Sequence, residues 1–169
     1  DDPYRDLRYS GEALPAVASY DAEGWVAYMG SFSKLIAPGL RVGAVVANPT
    51  LIRKLTICKQ SADVHSPSLP QAIVDGYLRR GLLMPHIENV RGGYAAQLNA
   101  MLEGVGHFPK GTAHTRPEGG LFVWAELPGG LNAKALLTKA VERGVAYVPG
   151  THFYAGGGHE NALRLNFSN

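Results

Sequence analysis

Short apolar runs bounded by turn-forming residues alternate with longer amphipathic segments along this chain, and that alternation constrains its fold more than any other feature. Residues 25–33 and 41–47 are two such runs, and the Pro38-Gly39 pair separates them. The Val-rich composition of the second run is typical of a strand in a sheet that is covered on both faces. The first part of the chain is therefore predicted to be α/β, with a mainly parallel sheet and helices.

Amphipathic spacing and turn signals predict the remaining elements. Helices are expected over residues 48–59, 71–80 and 85–103, and a proline-containing loop over 61–70. Beyond residue 117 the order becomes strand, helix, strand, strand, over residues 121–127, 133–143, 145–148 and 162–167. We predict two units, residues 1–90 and residues 91–169, the second a small α+β domain.

Composition excludes several classes of function. The 16 basic and 14 acidic side chains are interspersed and give a formal charge of +2, so no basic block predicts nucleic-acid binding. No apolar run approaches the roughly 20 residues of a membrane-spanning helix, and no histidine or cysteine cluster has metal-ligand spacing. A single cysteine excludes an internal disulfide and favours the cytoplasm, and its apolar-periodic surroundings predict that Cys58 is a buried, inert thiol.

The segment over residues 31–41 combines side chains that suit a phosphate and an aldehyde. Ser31, Ser33 and Arg41 offer hydroxyl donors and a planar guanidinium, which is the better phosphate clamp. The amine of Lys34, with the positive charge of Arg41 nearby, is suited to forming a Schiff base. A solvated lysine at a strand end and an ordinary surface arginine are the alternative, and the Pro-Gly-Leu-Arg-x-Gly sequence favours the functional interpretation.

The whole motif, Ser-Phe-Ser-Lys-x-x-x-Pro-Gly-Leu-Arg-Val-Gly, resembles the cofactor-lysine motif of the class I/II aminotransferases, which are fold type I pyridoxal-phosphate enzymes. Further family-like segments follow the family's order: Asp-Asp-Pro-Tyr at 1–4, Pro-Glu-Gly-Gly-Leu-Phe-Val-Trp at 117–124, Val-Pro-Gly-Thr-His-Phe at 148–153 and Ala-Leu-Arg-Leu-Asn-Phe at 162–167. The opening segment is most similar to the 2-aminoadipate and aromatic aminotransferase branch. The resemblance implies the C-terminal part of the PLP-binding large domain, followed by the small domain.

The same resemblance implies a role for each matching residue. Lys34 would bind pyridoxal 5'-phosphate covalently and move a proton during catalysis. Asp1 would pair with the pyridine nitrogen and Tyr4 would donate to the phenolic oxygen, although a frayed terminus and a packing tyrosine are the alternatives. The phosphate would be held by Ser31, Ser33 and Arg41.

Arg164 is the residue that the resemblance assigns to the substrate. Strand alternation places Arg164 on the face opposite Leu163 and Leu165, so its side chain is expected to point away from the apolar core. In the family this arginine binds the α-carboxylate of the substrate in a bidentate pair. A surface salt bridge is the alternative.

The implied activity is transfer of an α-amino group between an amino acid and a 2-oxo acid, by a homodimer with shared active sites. A β-lyase or decarboxylase on the same scaffold, and the ligand-sensing domain of a transcription regulator, are the alternatives. The chain begins at Asp1 rather than Met and ends directly after a predicted strand, so we expect both ends to be cut from a longer protein. The family's phosphate-binding loop would lie upstream, and the chain alone is therefore expected to be inactive.

Overall fold

The computed structural model describes residues 1–168, which divide into two compact units of mixed helix and sheet. The first unit comprises Asp1–Arg91 and the second begins at Gly92. The division falls within the long helix that spans Leu83–Val105. Among the described residues, no helix is both long and apolar enough to cross a membrane.

The first unit contains a two-stranded sheet and the helices that follow it. Its strands are β1 (Tyr28–Ser31) and β2 (Gly43–Val46). Its helices are α1 (Pro49–Ala62), α2 (Ser68–Arg79) and the first part of α3 (Leu83–Val105). Single 3-10 turns occupy Val17–Tyr20 and Pro38–Leu40.

The two strands of the first unit pair antiparallel, with Tyr28 opposite Val46 and Ser31 opposite Gly43. This antiparallel pair lies in a part of the chain for which a mainly parallel sheet was predicted; residues 32–42 form a short reversing connection, whereas parallel strands require a longer crossover. The cover on both faces that the Val-rich run predicted is absent from β2 within residues 1–168, since its four residues are all exposed. A Val-rich run indicates a strand but does not specify its direction or what covers it.

Helix α1 begins where the sequence predicts, because the Asn48 side chain caps it. The Asn48 Oδ1 accepts a hydrogen bond from the Leu51 N–H at 2.9 Å, and Pro49 occupies the first turn, where its missing N–H costs nothing. The helix buries none of its residues, so the prediction that Cys58 is buried is wrong and its thiol is exposed. The periodic spacing of apolar residues in α1 indicates an apolar face, but it does not show whether another element covers that face.

The start of the chain is hydrogen-bonded to helix α3. Leu7 is fully buried, and the Arg91 Nε donates to the Asp6 carbonyl at 2.6 Å. The Leu7 N–H donates to the Tyr4 carbonyl at 2.9 Å, which closes a turn around residues 4–7. The first residues are therefore held by one buried side chain and two backbone carbonyls.

The second unit is a four-stranded antiparallel sheet with one further helix. The strands are β3 (Ala113–His114), β4 (Phe122–Glu126), β5 (Val148–Pro149) and β6 (Ala162–Asn166), in the order β3-β4-β6-β5. Helix α4 spans Ala133–Val141, and a 3-10 turn over Gly150–Phe153 follows β5 directly. This arrangement of helices and strands is the predicted α+β composition.

One face of this sheet forms the core of the second unit. Val123 and Ala125 on β4, together with Leu163 and Leu165 on β6, are at most 3% exposed. The cross-strand partners Trp124 and Arg164 lie on the other face, because neighbouring residues of a strand point to opposite sides. The alternation predicted for Arg164 is therefore present in the structure.

Candidate active site

The connection between β1 and β2 is a compact turn built on Phe32. The Phe32 N–H donates to the Val42 carbonyl at 3.1 Å, and the Phe32 carbonyl accepts from the Ile36 N–H at 2.8 Å. Lys34 lies in the middle of this turn and is exposed. Among residues 1–168, no hydrogen bond or ion pair involves its amine. The fold therefore presents a fixed backbone and a free primary amine at this position.

The two serines lie beside Lys34. Ser31 is the last residue of β1, and its Oγ accepts a hydrogen bond from the Ser33 N–H at 3.2 Å. Both serines are half-buried. Because the Ser31 oxygen is used as an acceptor, its hydroxyl hydrogen stays available to donate to an anion.

Arg41 completes the same connection. Its backbone is left-handed, with φ 54° and ψ 37°, and its Nη1 donates to the Pro38 carbonyl at 3.2 Å. A non-glycine residue in this region is uncommon and costs free energy, on the order of 1–3 kcal/mol. The side chain is exposed, and a single backbone carbonyl uses only one of its donors.

Asp1 and Tyr4 lie on the segment that runs beside β1. The Asp2 N–H donates to the Met29 carbonyl at 3.0 Å, which joins the start of the chain to the strand that leads into Lys34. Asp1 is exposed and Tyr4 is half-buried. The predicted cofactor-binding residues thus lie on two segments, 1–4 and 31–41, and the first of these is hydrogen-bonded to β1 at Met29, two residues before Ser31.

A carboxylate fixes the turn that leads into β1. The Asp21 Oδ2 accepts from the Val26 N–H at 2.6 Å, while its Oδ1 accepts from the N–H groups of Glu23 and Gly24 at 3.1 and 2.9 Å. The hydrogen bond from Val26 is the main cause that holds the pKa of Asp21 below its ordinary value. The Asp21 carboxylate therefore stabilises this turn through three backbone N–H groups.

Arg164 belongs to the second unit and has an aromatic environment. Its guanidinium carbon lies 4.0 Å from the centre of the Phe122 ring and 4.7 Å from the centre of the Phe153 ring. Among residues 1–168, its guanidinium forms no hydrogen bond or ion pair, so the predicted alternative of a surface salt bridge is absent there. The half-buried guanidinium keeps its N–H donors available.

Sequence reasoning missed the two phenylalanines beside Arg164. Phe122 was detectable, because β4 alternation places it on the same face as Trp124. Phe153 was not, since it lies in a 3-10 turn whose position depends on how that turn packs against β6. No group of three or more histidine, cysteine or acidic side chains suited to a metal ion occurs within the described part of the chain.

Comparison with known proteins identifies relatives along the whole chain. The aromatic-amino-acid aminotransferase 1 of Thermococcus litoralis is 47% identical over 169 residues, which are 99% of this chain and 40% of that protein. The chain therefore spans about two fifths of the length of the curated relatives it matches. An uncharacterised HTH-type transcriptional regulator of Bacillus subtilis is 30% identical over 169 residues, and the match covers 35% of its length.

Solved structures give the same result. The kynurenine aminotransferase of Pyrococcus horikoshii, crystallised in complex with PMP, superposes with a TM-score of 0.94 at 43% identity, over 99% of this chain and 42% of that one. The alpha-aminoadipate aminotransferase of Thermus thermophilus, complexed with N-(5'-phosphopyridoxyl)-L-leucine, gives 0.91 at 44% identity, over 99% and 44%. The predicted α/β fold class is thereby confirmed.

The family described as Aminotransferase class I and II matches residues 1–169. That match agrees with the motif order from the Asp-Asp-Pro-Tyr segment to the last strand. The resemblance recognised from the motifs is therefore confirmed, and the chain belongs to the class I and II aminotransferases.

Proposed function

We propose that the complete protein is a pyridoxal-phosphate-dependent aminotransferase in which Lys34 binds the cofactor. The observation that supports this proposal most directly is the amine of Lys34, which is exposed on a hydrogen-bonded turn and has no hydrogen-bond or ion-pair partner among residues 1–168, in a member of this family. An amine without a carboxylate partner can react with an aldehyde, whereas an amine held in an ion pair would first have to leave it. In this proposal the first unit is part of the family's large domain and the second unit is its small domain.

The donor set around Lys34 fits a phosphate-bearing aldehyde. Ser31 and Ser33 offer hydroxyls, and Arg41 offers guanidinium donors that a single backbone carbonyl does not exhaust. Bound pyridoxal 5'-phosphate supplies a reactive aldehyde and a ring that withdraws electrons from the substrate. In this proposal the three side chains hold the phosphate, while Lys34 accepts and returns a proton at its amine.

Asp1 and Tyr4 complete the proposed cofactor site. A carboxylate at Asp1 would favour a proton on a facing pyridine nitrogen, because opposite charges stabilise each other at short range. The phenol of Tyr4 would donate to the cofactor's phenolic oxygen. Their position beside β1 supports both assignments, since the Asp2–Met29 hydrogen bond joins this segment to the strand before Lys34.

Arg164 is proposed to bind the α-carboxylate of the amino acid and of the 2-oxo acid. A half-buried guanidinium with unused donors suits a bidentate carboxylate, and two aromatic rings contact it. The names of the relatives, which include aromatic-amino-acid and alpha-aminoadipate aminotransferases, favour substrates of those classes. A cytoplasmic homodimer with shared active sites is part of the same proposal.

The similarity to an HTH-type transcriptional regulator favours one alternative, in which the same scaffold senses a ligand. A β-lyase or decarboxylase would use the same lysine and phosphate clamp. Product analysis separates these possibilities. An aminotransferase converts an added 2-oxo acid into its amino acid, a lyase or decarboxylase releases a fragment of the donor, and a sensor binds without turnover.

Reductive labelling tests the assignment of Lys34. Borohydride treatment of the complete protein with pyridoxal 5'-phosphate should fix the label on the peptide that contains Lys34, and Lys34→Ala should abolish both the label and the visible absorption. Lys54→Ala and Lys59→Ala are matched controls and should retain both. A label on Lys54 or Lys59 would overturn the assignment.

Arg164→Ala tests substrate binding separately from cofactor binding. The variant should keep its visible absorption and cofactor affinity but lose on the order of 10²-fold in kcat/KM for amino acids, because a bidentate contact both binds and orients the substrate. The matching amine without a carboxylate should lose far less. Equal losses for both donors would show that Arg164 supports the fold instead.

A further inference from the structure

Two aromatic rings hold the side chain of Arg164 without using its hydrogen-bond donors. The guanidinium carbon lies 4.0 Å from the centre of the Phe122 ring and 4.7 Å from that of Phe153. Both distances are within the range of an attractive contact between a cation and an aromatic ring. An ion pair would occupy the N–H groups of the guanidinium, whereas ring faces attract its charge and leave those N–H groups available to a ligand.

The second ring is itself fixed by its neighbours. Phe153 meets Trp124 edge to face, with ring centres 5.5 Å apart and planes at 82°. The Trp124 indole N–H donates to the Glu126 carboxylate at 3.2 Å, which sets the orientation of the indole. Glu126, Trp124, Phe153 and Arg164 thus form a continuous series of contacts on the face of the sheet opposite the core.

Backbone pairing supports the same series. Trp124 and Arg164 are direct cross-strand partners, and Phe122 lies two residues before Trp124 on the same face. Phe153 reaches this face from the 3-10 turn after β5, which pairs with β6 through Val148 and Arg164. Two segments, β4 and the 3-10 turn, therefore converge on a guanidinium that a third segment, β6, carries.

We propose that Phe122 and Phe153 are positioning residues that orient Arg164 toward the carboxylate of the substrate. This inference rests on the proposed role of Arg164 in substrate binding. A flexible arginine must lose rotamer freedom when it binds a carboxylate, and two rings that restrict it beforehand reduce that loss. The rings act through Arg164, so their removal should weaken carboxylate binding and leave cofactor binding unchanged.

The test measures carboxylate binding as well as turnover in the complete, cofactor-loaded protein. Phe153→Leu and Phe122→Leu should each raise the dissociation constant of 3-phenylpropanoate, measured by calorimetry, by about 2- to 30-fold, the range expected for one cation–ring contact. The KM for an amino acid should rise by a similar factor with kcat less affected. Phe153→Tyr keeps the ring and should restore both values.

Matched controls separate positioning from general damage to the fold. Phe108→Leu removes an equivalent ring that is not one of the two beside the Arg164 guanidinium, and it should leave the dissociation constant unchanged. The visible absorption of the cofactor and the dissociation constant of the matched alcohol, 3-phenylpropan-1-ol, should be unchanged in all variants. Phe153 is 45% exposed, so its replacement by Leu leaves no cavity that would prevent folding.

The outcomes distinguish this inference from the proposed function. If Arg164→Ala weakens 3-phenylpropanoate binding and neither Phe→Leu variant does, the positioning role is wrong and the substrate role of Arg164 stands. If Arg164→Ala has no effect on carboxylate binding, the substrate role fails and the positioning role fails with it. Equal weakening of the acid and the alcohol in the Phe variants would identify the rings as part of the fold alone.

Discussion

Gly150 allows the 3-10 turn that carries Phe153 to lie directly against β6. A Cβ atom added at Gly150 would lie 2.8 Å from the carbonyl carbon of Ala162 and 2.9 Å from its oxygen. The two segments are closely packed at this point, since both Gly150 and Ala162 are buried. The glycine is needed for this close approach and not for its backbone conformation, because its φ is not in the left-handed region.

The cost of Gly150→Ala follows from these distances. Carbon atoms pack best at roughly 3.5–4.0 Å, and the Cβ of Ala162 lies even closer to the added atom than the carbonyl carbon does, so the turn or β6 must move by about 1 Å or more to admit the methyl group. The obstructing atoms are the Cβ, the carbonyl carbon and the carbonyl oxygen of Ala162, and none of them can move aside as the end of a flexible side chain would. Overpacking of this kind destabilises proteins by about 1–3 kcal/mol.

Hydrogen exchange measured by mass spectrometry tests this estimate in the complete protein. Peptides that cover β5, the 3-10 turn and β6 should exchange about 5- to 150-fold faster in Gly150→Ala, because local opening becomes easier by that free energy. Peptides from helices α1 and α2 should not change. Carboxylate binding should weaken as well, since Phe153 moves with the turn.

Gly156→Ala is the matched control, because a Cβ atom at Gly156 meets no other atom within 4 Å and its φ is not positive. This variant should exchange like the parent protein. Equal exchange in Gly150→Ala and the parent would refute the reasoning that close packing against Ala162 fixes the turn. Equal acceleration in both variants would refute it too, because the effect would then be general to added methyl groups.

Three further predictions concern Arg41 in the proposed phosphate site and the described hydrogen bonds of Tyr147 and Asp21. Arg41→Ala should weaken the affinity for pyridoxal 5'-phosphate by about 1.5–3 kcal/mol, measured by equilibrium dialysis, and unchanged affinity would remove Arg41 from the phosphate site. Tyr147→Phe should cost about 0.5–1.5 kcal/mol in denaturant unfolding, because the Tyr147 hydroxyl donates to the Ala133 carbonyl at 2.7 Å. Burial raises the pKa of Tyr147. The free energy of unfolding that Tyr147 contributes is therefore fully present below about pH 10 and is lost as pH rises through the folded-state pKa. The Phe variant should not show this loss of stability at high pH. The pKa of Asp21 is lowered mainly by the Val26 hydrogen bond. The stability that the ionised Asp21 side chain gives to the folded protein is therefore present above its ordinary pKa of 3.8 and is lost as pH falls through the folded-state pKa. The stability difference between the parent and Asp21→Asn should therefore shrink in acid, and a constant difference would contradict this account.

The sequence predicted those elements that depend on residues close to one another in the chain. Asn132 caps α4 by accepting a hydrogen bond from the Ala135 N–H at 2.9 Å, and that helix begins at Ala133 as predicted. Alternation along β6 predicted the buried positions of Leu163 and Leu165 and the opposite orientation of Arg164. Each of these features depends on residues within a few positions of one another.

Features that depend on distant contacts were not predictable in this way. The direction of pairing between β1 and β2, and the exposure of Cys58, depend on what covers a segment and not on its own pattern. The two-residue strand β3 is too short to produce alternation, and it forms because Ala113 and His114 pair with β4. The aromatic contacts of Arg164 likewise required three segments to be placed in space.

The left-handed backbone at Arg41 links folding to the proposed function at a single residue. Glycine would adopt this conformation without steric cost, yet glycine has no guanidinium to offer the proposed phosphate. Selection for thermal stability alone would therefore favour glycine at this position, whereas selection for cofactor binding favours arginine. Screens that select for stability alone are expected to replace Arg41 before the other residues of the turn. Libraries designed to keep cofactor binding should therefore leave position 41 unchanged.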